Sequence, residues 1–390
     1  MRRESKKNSL ILAKVKRLVI AGAAAVCALT FAGVPGQKVY AETGDVEINE
    51  TNFPDAAFRE CVKKAFDGNS DGILSVDEIA GAKSLSIDNM KIKSVKGIQY
   101  LINLEHLSCQ DNDLTVLDVS SNPALQTLDC DRNKLKKLDL SKNVKLSGMN
   151  CGENKLTQLD VSKNTNLKVL GCSGNKLTSI NLRNLKGLQY LSIFNNRLTK
   201  LDVSKNTKLI SMDCSSNKLT KLDVTKNKNL EILLVSNNKI KKIDVRKLKK
   251  LKQLACDGNK LTSLDVRKNT KLEQLLCFDN KLTKLDVRKN TKLIRLHVNG
   301  NKLKTLDISK NTKLENLQCY RNKLTKLDTS KNRKLERLIC SNNQLTKLDV
   351  RKNKNLTELS CFGNKIKTID LSKNKKLSSY TGDSGVKVKK

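Results

Sequence analysis

Residues 67–78 place oxygen-bearing side chains at alternate positions of one short segment, in a pattern that could hold a hard cation. They match D-x-[DN]-x-[DN]-G-x5-E in full, and Gly72 at the sixth position allows a sharp turn. Ca²⁺ takes roughly six to eight hard oxygen ligands, so we expect one structural calcium ion here. The predicted ligands are the side chains of Asp67, Asn69, Asp71, Ser75 and Glu78 and the carbonyl of Ile73. The alternative is an Asp- and Asn-rich turn that binds no metal.

The chain has 12 cysteines, ten of which recur at 21 residues or multiples of 21. In three equivalent places the chain has Ile193, Val235 and Val298 instead, which indicates a site for a small buried apolar side chain. We therefore expect buried free thiols, with scattered disulfides as the alternative. A metal role is not expected, because there is no CxxC pair and there are only two histidines. The ten cysteines are Cys109, Cys130, Cys151, Cys172, Cys214, Cys256, Cys277, Cys319, Cys340 and Cys361.

These cysteines belong to a 21-residue repeat that fills most of the chain. Asparagine recurs at this spacing from Asn112 to Asn364, and the consensus is LxxLxCxxNxLTxLDVSKNTx. A period of about 20 to 30 residues with leucines in phase with an asparagine predicts a leucine-rich repeat solenoid. We therefore expect a β-rich solenoid, a leucine-rich repeat array of about 13 coils of 21 residues, behind a small helical N-terminal cap that contains the calcium loop.

Positions within a coil are numbered here from its first leucine, for example Leu104 or Leu125. The alternation in L-x-C and in L-x-V predicts two short strands in every coil. Asparagines at positions 9 and 19 are predicted to be buried and to satisfy backbone groups of the two turns. Position 19 is leucine at Leu185 and Leu248, so those two coils should turn differently.

Variation between coils indicates which face binds a ligand. Positions 3, 5, 7 and 8 around the L-x-C strand differ most, and they include aromatic residues and arginines, which are typical of binding hot spots. The alternative is that the aromatic residues at position 7 pack on the adjacent turn. The predicted ligand face consists of Tyr190, Phe194, Phe278, Arg295, Tyr320, Arg337 and Phe362.

The first residues predict export. Seven Lys or Arg in residues 1–17 precede an apolar run and a small-residue site before Glu42, which is the order of a secretory signal peptide of the Gram-positive type. An uncleaved membrane anchor and lipoprotein processing at Cys27 are the alternatives. The predicted organisation is a signal peptide at 1–41, a helical cap with an EF-hand-like loop at 42–81, a degenerate first repeat at 82–103, thirteen repeats at 104–376, and an incomplete final repeat with a basic tail at 377–390. No transmembrane domain is expected after signal cleavage, and no LPxTG sorting motif is present.

The formal net charge is +37, and residues 42–390 keep +30, from 68 basic against 38 acidic residues. Lysines at positions 10 and 18 supply much of the excess. A solvated face is one reading of these ladders, and binding to an anionic cell-wall polymer such as teichoic acid is another. A nucleic-acid partner is not expected, because aromatic residues make up 3% of the chain and no recognition motif is present. The Asp ladder at position 15 is predicted to form salt bridges with basic residues at 13 and 17.

The combination of these repeats with FPDAAFRECV and a calcium-type loop resembles bacterial internalin-like surface proteins. That resemblance implies a secreted or cell-surface binding module for adhesion through an extracellular protein or glycan. An enzyme is not expected: His106 and His297 lie nine coils apart and no nucleophile motif or phosphate loop is present. A wall-associated structural protein, held electrostatically by its lysines, is the alternative function.

Overall fold

The computed structural model describes residues 44–390, and the predicted signal segment 1–41 lies outside them. The chain divides after Leu198 into two compact units, each described separately below. Both units are parallel β-solenoids with a 21-residue spacing, as the repeat predicted. Within residues 44–390, no helix combines the length and the apolar character needed to span a bilayer.

The first unit begins with a small cap. Strand β1 (Val46–Glu47) pairs antiparallel with β2 (Ile73–Leu74), which lies within the calcium-type loop. Helix α1 (Ala56–Phe66) leads into the loop and helix α2 (Val76–Gly81) leaves it. Helix α2 has only 6 residues and begins with a capping box, in which Ser75 and Glu78 satisfy each other's backbone N–H groups.

The cap closes the first turn of the solenoid through an aromatic contact and an aspartate. Phe53 is fully buried, with its ring centroid 5.8 Å from that of Tyr100. Gly97 has φ 109°, and a Cβ there would lie 2.2 Å from the Phe53 ring, so this contact requires glycine. Asp55 caps α1 at the N–H of Phe58 and also accepts the N–H of Lys93 at 2.8 Å. The cap therefore covers core side chains that a terminal repeat would leave open.

The strands of the first unit form a six-stranded parallel layer in which each pairs with the strand one coil away. A 3-10 helix at Ile98–Tyr100 connects the first two. Leucine or methionine at position 4 stays in register from coil to coil, as in Leu107, Leu128 and Met149. The strands are β3 (Ser84–Ser86), β4 (His106–Ser108), β5 (Thr127–Asp129), β6 (Gly148–Asn150), β7 (Val169–Gly171) and β8 (Tyr190–Ser192).

The second unit repeats this arrangement with nine parallel strands. They are β9 (Ser211–Asp213), β10 (Ile232–Leu234), β11 (Gln253–Ala255), β12 (Gln274–Leu276), β13 (Arg295–His297), β14 (Asn316–Gln318), β15 (Arg337–Ile339), β16 (Glu358–Ser360) and β18 (Ser379–Thr381). A separate parallel pair near the end joins β17 (Thr368–Asp370) to β19 (Lys387–Lys389).

The prediction of two strands per coil was wrong. Within the described repeats the L-x-V segment is a strand only in β17, where β19 supplies a partner. In most coils the Asp at position 15 turns the backbone instead, because its Oδ1 accepts the N–H of position 17; Asp139 and Ser141 are an example at 2.9 Å. The segment therefore contributes core side chains without joining a second ladder.

Leucines and cysteines fill the core. The position-4 leucines and all ten ladder cysteines are at most 2% exposed, and the thiols are free. Burial raises the pKa of Cys172 and of Cys319 to about 12, so these groups remain uncharged thiols at neutral pH.

The position-9 asparagines tie neighbouring coils together as predicted. The Nδ2 of Asn133 donates to the carbonyl of Cys109 at 2.9 Å, and its Oδ1 accepts the N–H of Leu114 at 3.0 Å. Both partners belong to the preceding coil. The same pair of bonds recurs along each unit, so the asparagine replaces backbone partners that the turn removes.

The position-19 asparagines hold the second turn through their donors. Asn143 Nδ2 donates to the carbonyls of Val119 and Asn122, both at 2.9 Å. In one coil Thr329 stands where most coils have valine, and its hydroxyl donates to the Oδ1 of Asn353 at 2.7 Å. In the turn at Leu248, the N–H of Leu248 donates to the carbonyl at position 16, as the residue at position 19 does in the other coils. The N–H of Lys249 also donates to the carbonyl of Lys247 at 3.1 Å, which closes a smaller turn.

Candidate ligand face and calcium-type loop

The first predicted calcium ligand, Asp67, is 8% exposed and lies at the end of α1. Its Oδ2 accepts the N–H of Gly72 at 3.1 Å. Its Oδ1 is buried and receives no hydrogen bond from the described residues. Because a buried carboxylate oxygen ordinarily has a partner, this atom is the one in the loop that a cation would satisfy.

The other predicted ligands surround the loop with hydrogen bonds of their own. Asp71 accepts the Ile73 N–H at 2.8 Å and the Asn69 amide at 2.8 Å. Glu78 accepts the N–H of Gly68 at 2.7 Å and the Ser75 N–H and hydroxyl, both at 2.9 Å. The bonds from Ser75 and Gly68 lower the pKa of Glu78, so this carboxyl is ionised at neutral pH.

The donor set fits a calcium ion by chemistry, since all six predicted ligands offer oxygen. Among residues 44–390 no group of three or more His, Cys, Asp or Glu side chains is placed to hold a metal. The loop's carboxylates thus do not form a metal centre by themselves, and coordination depends on the amide, hydroxyl and main-chain oxygens as well.

Positions 3, 5 and 7 of each coil form the outer side of the strand layer, which we call the strand face. Position 4 points into the core, so its neighbours at 3 and 5 point away from it. Position 8 varies for a different reason: it has a positive φ in all thirteen repeats, for example 57° at Asp111 and 61° at Gly258. Glycine, asparagine and aspartate are frequent there because they tolerate this backbone conformation.

In the second unit the predicted arginines lie on the same row of the strand face. Arg295, Asn316, Arg337 and Glu358 are paired in register on β13 to β16. Arg337 binds Glu358 through two contacts, Nε to Oε2 at 2.8 Å and Nη2 to Oε1 at 3.0 Å. Burial lowers the pKa of the half-buried Arg295 guanidinium.

The predicted aromatic residues of this unit follow their strands at position 7. Phe278 and Tyr320 are half-buried, whereas Phe362 is 39% exposed. Their carbonyls lie in the backbone ladder; that of Phe278, for example, accepts the Gly258 N–H at 3.1 Å. The backbone therefore fixes the position of the Cα atom that carries each ring. Part of each aromatic side chain remains exposed and is available to a ligand.

Sequence reasoning missed an apolar row at position 5 of the second unit. Apolar side chains lie here on the outer side of the strands, where polar side chains are the usual choice. Leu234 and Ala255 are buried at 6% exposure each, whereas Leu276 and Ile339 are half-buried. His297 lies in the same row and is half-buried; burial lowers its pKa to about 4, while its bond to Asn316 at 3.1 Å acts in the opposite direction. Aligning position 5 across repeats would have revealed the row.

In the first unit the predicted residues Tyr190 and Phe194 lie in and just after β8, and both are half-buried. Phe194 forms one end of a groove of about 310 Å³ along the strand face of this unit. Sequence reasoning missed the groove, although glycines at Gly148, Gly152 and Gly171 occupy its floor positions. Tyr190 and Phe194 belong to a different unit from the other five predicted residues.

The lysine ladders and the Asp ladder lie away from the strand face. The Lys side chains at position 10, such as Lys260, Lys281 and Lys302, are exposed. The Asp ladder forms ion pairs with arginine at position 17 of the same coil, as in Arg267 Nη2 to Asp265 Oδ2 at 2.9 Å. A second groove of about 330 Å³ in the first unit contains Lys136, Lys137 and Lys163 together with two of the turn aspartates.

The repeats place the chain in the leucine-rich repeat class. The family described as Leucine Rich repeats (2 copies) matches residues 165–206, 228–269 and 333–374. Internalin J of Listeria monocytogenes serotype 4b (strain F2365) is 38% identical over 88 residues, which are 23% of this chain and 10% of that protein.

Solved structures show which group of leucine-rich repeat proteins this chain resembles. The functional domain of InlJ from Listeria monocytogenes, described as including a cysteine ladder, is 37% identical, with a TM-score of 0.77 over 87% of this chain and 80% of that one. The internalin InlF of the same species shares the fold at 22% identity, with a TM-score of 0.70 over 87% of this chain and 98% of that one. The chain belongs to the internalin-like leucine-rich repeat proteins, whose fold is typical of binding proteins rather than enzymes.

Proposed function

We propose that this protein is an exported binding module of the bacterial surface or its surroundings. Its strand face in the second unit binds an extracellular protein or glycan, as in adhesion. The observation that carries the proposal is the half-buried apolar pair Leu276 and Ile339 at position 5, on the strand face that also has Arg295, Phe278 and Tyr320. Apolar side chains with arginine and aromatic neighbours are enriched in binding interfaces, and the solenoid core has no need of outward leucines.

Replacing Phe278, Tyr320 and Phe362 together with alanine tests this proposal. We expect at least a tenfold loss in the binding of fluorescently labelled protein to host-cell surfaces, with little change in the melting temperature, because these side chains lie outside the core. Pretreating the cells with protease or with glycosidases distinguishes a protein ligand from a glycan.

The matched control removes apolar surface elsewhere. Val116 and Val144 are 70% and 46% exposed and lie off the strand face, so the double alanine variant should bind like the wild type. Equal losses in both variants, or no loss in the aromatic variant, would remove the strand face of the second unit from consideration.

The loop at residues 67–78 supports a further part of this proposal, one structural calcium ion that stabilises the cap. The buried Oδ1 of Asp67 supplies the support. Calorimetric titration with CaCl₂ should give one ion per chain and a higher melting temperature, and Asp67→Asn should abolish both effects. Asp77→Asn is the control, because Asp77 lies in the same loop but is not a predicted ligand. No heat and no thermal shift with the wild type would contradict the assignment.

The exposed lysine ladders favour a second function, electrostatic attachment to an anionic wall polymer. Charges one coil apart are separated by about 4.8 Å, and a polyanion would relieve their repulsion. Lys260, Lys281, Lys302 and Lys323 changed together to glutamine should lower the salt concentration that elutes the protein from isolated cell walls, because exposed charges are screened by salt. Unchanged elution would exclude this attachment, and wall binding that resists high salt would favour specific recognition.

A further inference from the structure

The groove of the first unit has a chemistry unlike the rest of the protein. It runs over strands β3 to β8, and its floor is bare because glycines stand at outward positions. A Cβ on Gly152 would lie 2.4 Å from Asp131 Oδ1, and one on Gly171 would lie 2.7 Å from Asn150 Oδ1. Glycine at these two positions lets polar side chains of the preceding coils lean across the floor.

The walls of this groove are acidic although the whole chain carries +37. Its acidic lining residues are Asp129, Asp131 and Glu153, and its one arginine is Arg132. Arg132 is held in ion pairs with Asp111 and Asp131, so its charge is already engaged. The groove is thus a local acidic surface on a repeat array that is strongly basic.

Asp129 is the carboxylate best placed to receive a cation. Its Oδ1 accepts the Asp131 N–H at 3.1 Å and the Asn150 amide at 3.2 Å. Its Oδ2 receives no hydrogen bond from residues 44–390. Burial raises the pKa of Asp129 to about 6, so at neutral pH the carboxyl is still mainly ionised but its charge is poorly solvated, and a positively charged partner would stabilise it.

One end of the groove is apolar. The half-buried Phe194 lines it together with the small exposed part of Val169, which is 2% exposed, and these residues lie three and two coils beyond Asp129. At about 4.8 Å per coil this separates Asp129, near the middle of the groove, from the apolar end by roughly 10 to 14 Å, which an extended peptide covers in about three or four residues. A ligand that uses both places therefore has a cationic group and an apolar group that far apart.

We propose that this groove binds an extended peptide segment of a partner protein, with a lysine or arginine at Asp129 and an apolar side chain against Val169 and Phe194. The inference goes beyond the proposed function, since it assigns a separate ligand site to the strand face of the first unit. A neutral sugar would leave the carboxylate charge unbalanced, and a simple polyamine has nothing to place at the apolar end.

The test uses acetyl-Lys-Ala-Ala-Phe-amide and its reversed sequence as probes, titrated by calorimetry against the full chain. The matched negative peptide replaces lysine with glutamate. We expect at least one lysine peptide to bind, and its glutamate counterpart to bind at least tenfold more weakly.

Two variants place the binding in the groove. Asp129→Asn removes the charge at nearly constant shape. Gly148→Val fills the floor, because a Cβ there would meet nothing nearer than Thr127 Cγ2 at 3.7 Å. Each should weaken lysine-peptide binding at least tenfold. Asp257→Asn is the control: Asp257 is a strand-face aspartate of the second unit whose pKa burial also raises to about 6, and its loss should leave the peptide affinity unchanged.

The outcomes separate this inference from the proposed function, because the peptide assay contains no cell surface. The inference is overturned if neither lysine peptide binds, if the glutamate peptide binds equally well, or if Asp257→Asn matches Asp129→Asn. Binding of glucosamine without binding of either peptide would overturn the peptide assignment in favour of an amino sugar. Loss of cell-surface binding in the aromatic variant is a separate result that the peptide titration does not depend on.

Discussion

The strand faces of the two units are built on the same repeat and carry opposite chemistry. Position 5 is Asp129, Asn150 and Gly171 in the first unit, but Leu234, Ala255 and Leu276 in the second. Position 3 is Gly148 and Val169 in the one and Arg295 and Arg337 in the other. The first face is a small acidic groove, and the second is an apolar row with arginines.

This difference shows which residues of a repeat are free to change. The core positions and the position-9 asparagines stay constant because each coil is covered only by its neighbours. Outward positions are released from that requirement, so each unit can acquire its own recognition chemistry without altering the backbone. On these faces burial disfavours the charged forms of Asp129 and of His297.

The largest expected effect on stability comes from a comparison of two adjacent leucines, one in the core and one on the strand face. Both residues lie in β12. Leu275, at position 4 of its coil, is fully buried, whereas Leu276, at position 5, is half-buried. Leu275→Ala should lower the free energy of unfolding by about 2–5 kcal/mol, and Leu276→Ala by about 1 kcal/mol or less. Urea unfolding measures both. Equal losses would show that position 5 belongs to the core and that the apolar row is not a surface.

The first face should lose stability as the pH rises. The folded-state pKa of Asp129 is about 6, above the ordinary 3.8, so the folded chain binds more protons between these values. Stability from this group is therefore greatest below about pH 4 and falls through pH 6. Asp129→Asn should add about 1–2 kcal/mol at pH 7.5 and little at pH 3.5. Thermal melts at the two pH values measure this, and a pH-independent difference would contradict it.

His297 on the second face should respond in the opposite direction to Asp129. The pKa of His297 in the folded protein is about 4, below the ordinary 6.5, so the unfolded chain binds more protons between those values. Stability is then lost as the pH falls from about 6.5 to 4, by about 1–2 kcal/mol after allowance for partial exposure. His297→Gln should remove this dependence in urea titrations across that range. If the variant keeps the full slope, His297 is not the group responsible.

Much of the scaffold was predictable because it is periodic. The position-9 asparagines, the ladder cysteines and the parallel solenoid follow from thirteen in-register repeats. The second strand per coil was not predictable in this way, since L-D-V has the alternation of a strand, but its aspartate forms a turn with the next residues. A period-2 pattern shows which side chains are buried. It does not show whether the backbone of that segment forms hydrogen bonds with the same segment of the next coil.

The chemistry of the faces was only partly predictable. Phe278 and Arg337 were identified as unusual side chains, but the apolar row and the groove depend on neighbours that are 21 residues apart in sequence. Gly148 pairs with Val169 and Gly171 with Asn150, and only this register shows that both glycines belong to one floor. The burial of Asp129 and of His297 depends on how far adjacent side chains extend over them. The position of a residue in the repeat does not specify that.

The smallest expected effect compares one ion pair on each unit. Arg337 and Glu358 form an ion pair on the second strand face with one hydrogen bond and a second N–O contact, and their side-chain exposures are 25% and 38%. Lys134 and Asp113 in the first unit make a single contact at 2.7 Å, with exposures of 51% and 36%. Double-mutant cycles to alanine should give a coupling of about 0.5–1 kcal/mol for the arginine pair and no measurable coupling for the lysine pair. The fork of the guanidinium limits the entropy lost per bond, while the flexible lysine remains hydrated.

Addition of 0.5 M NaCl should leave most of the arginine coupling, since partial burial excludes the screening ions. Equal couplings in the two cycles would show that this row of the second face is as solvated as the lysine ladders, and would weaken the case for it as a binding surface.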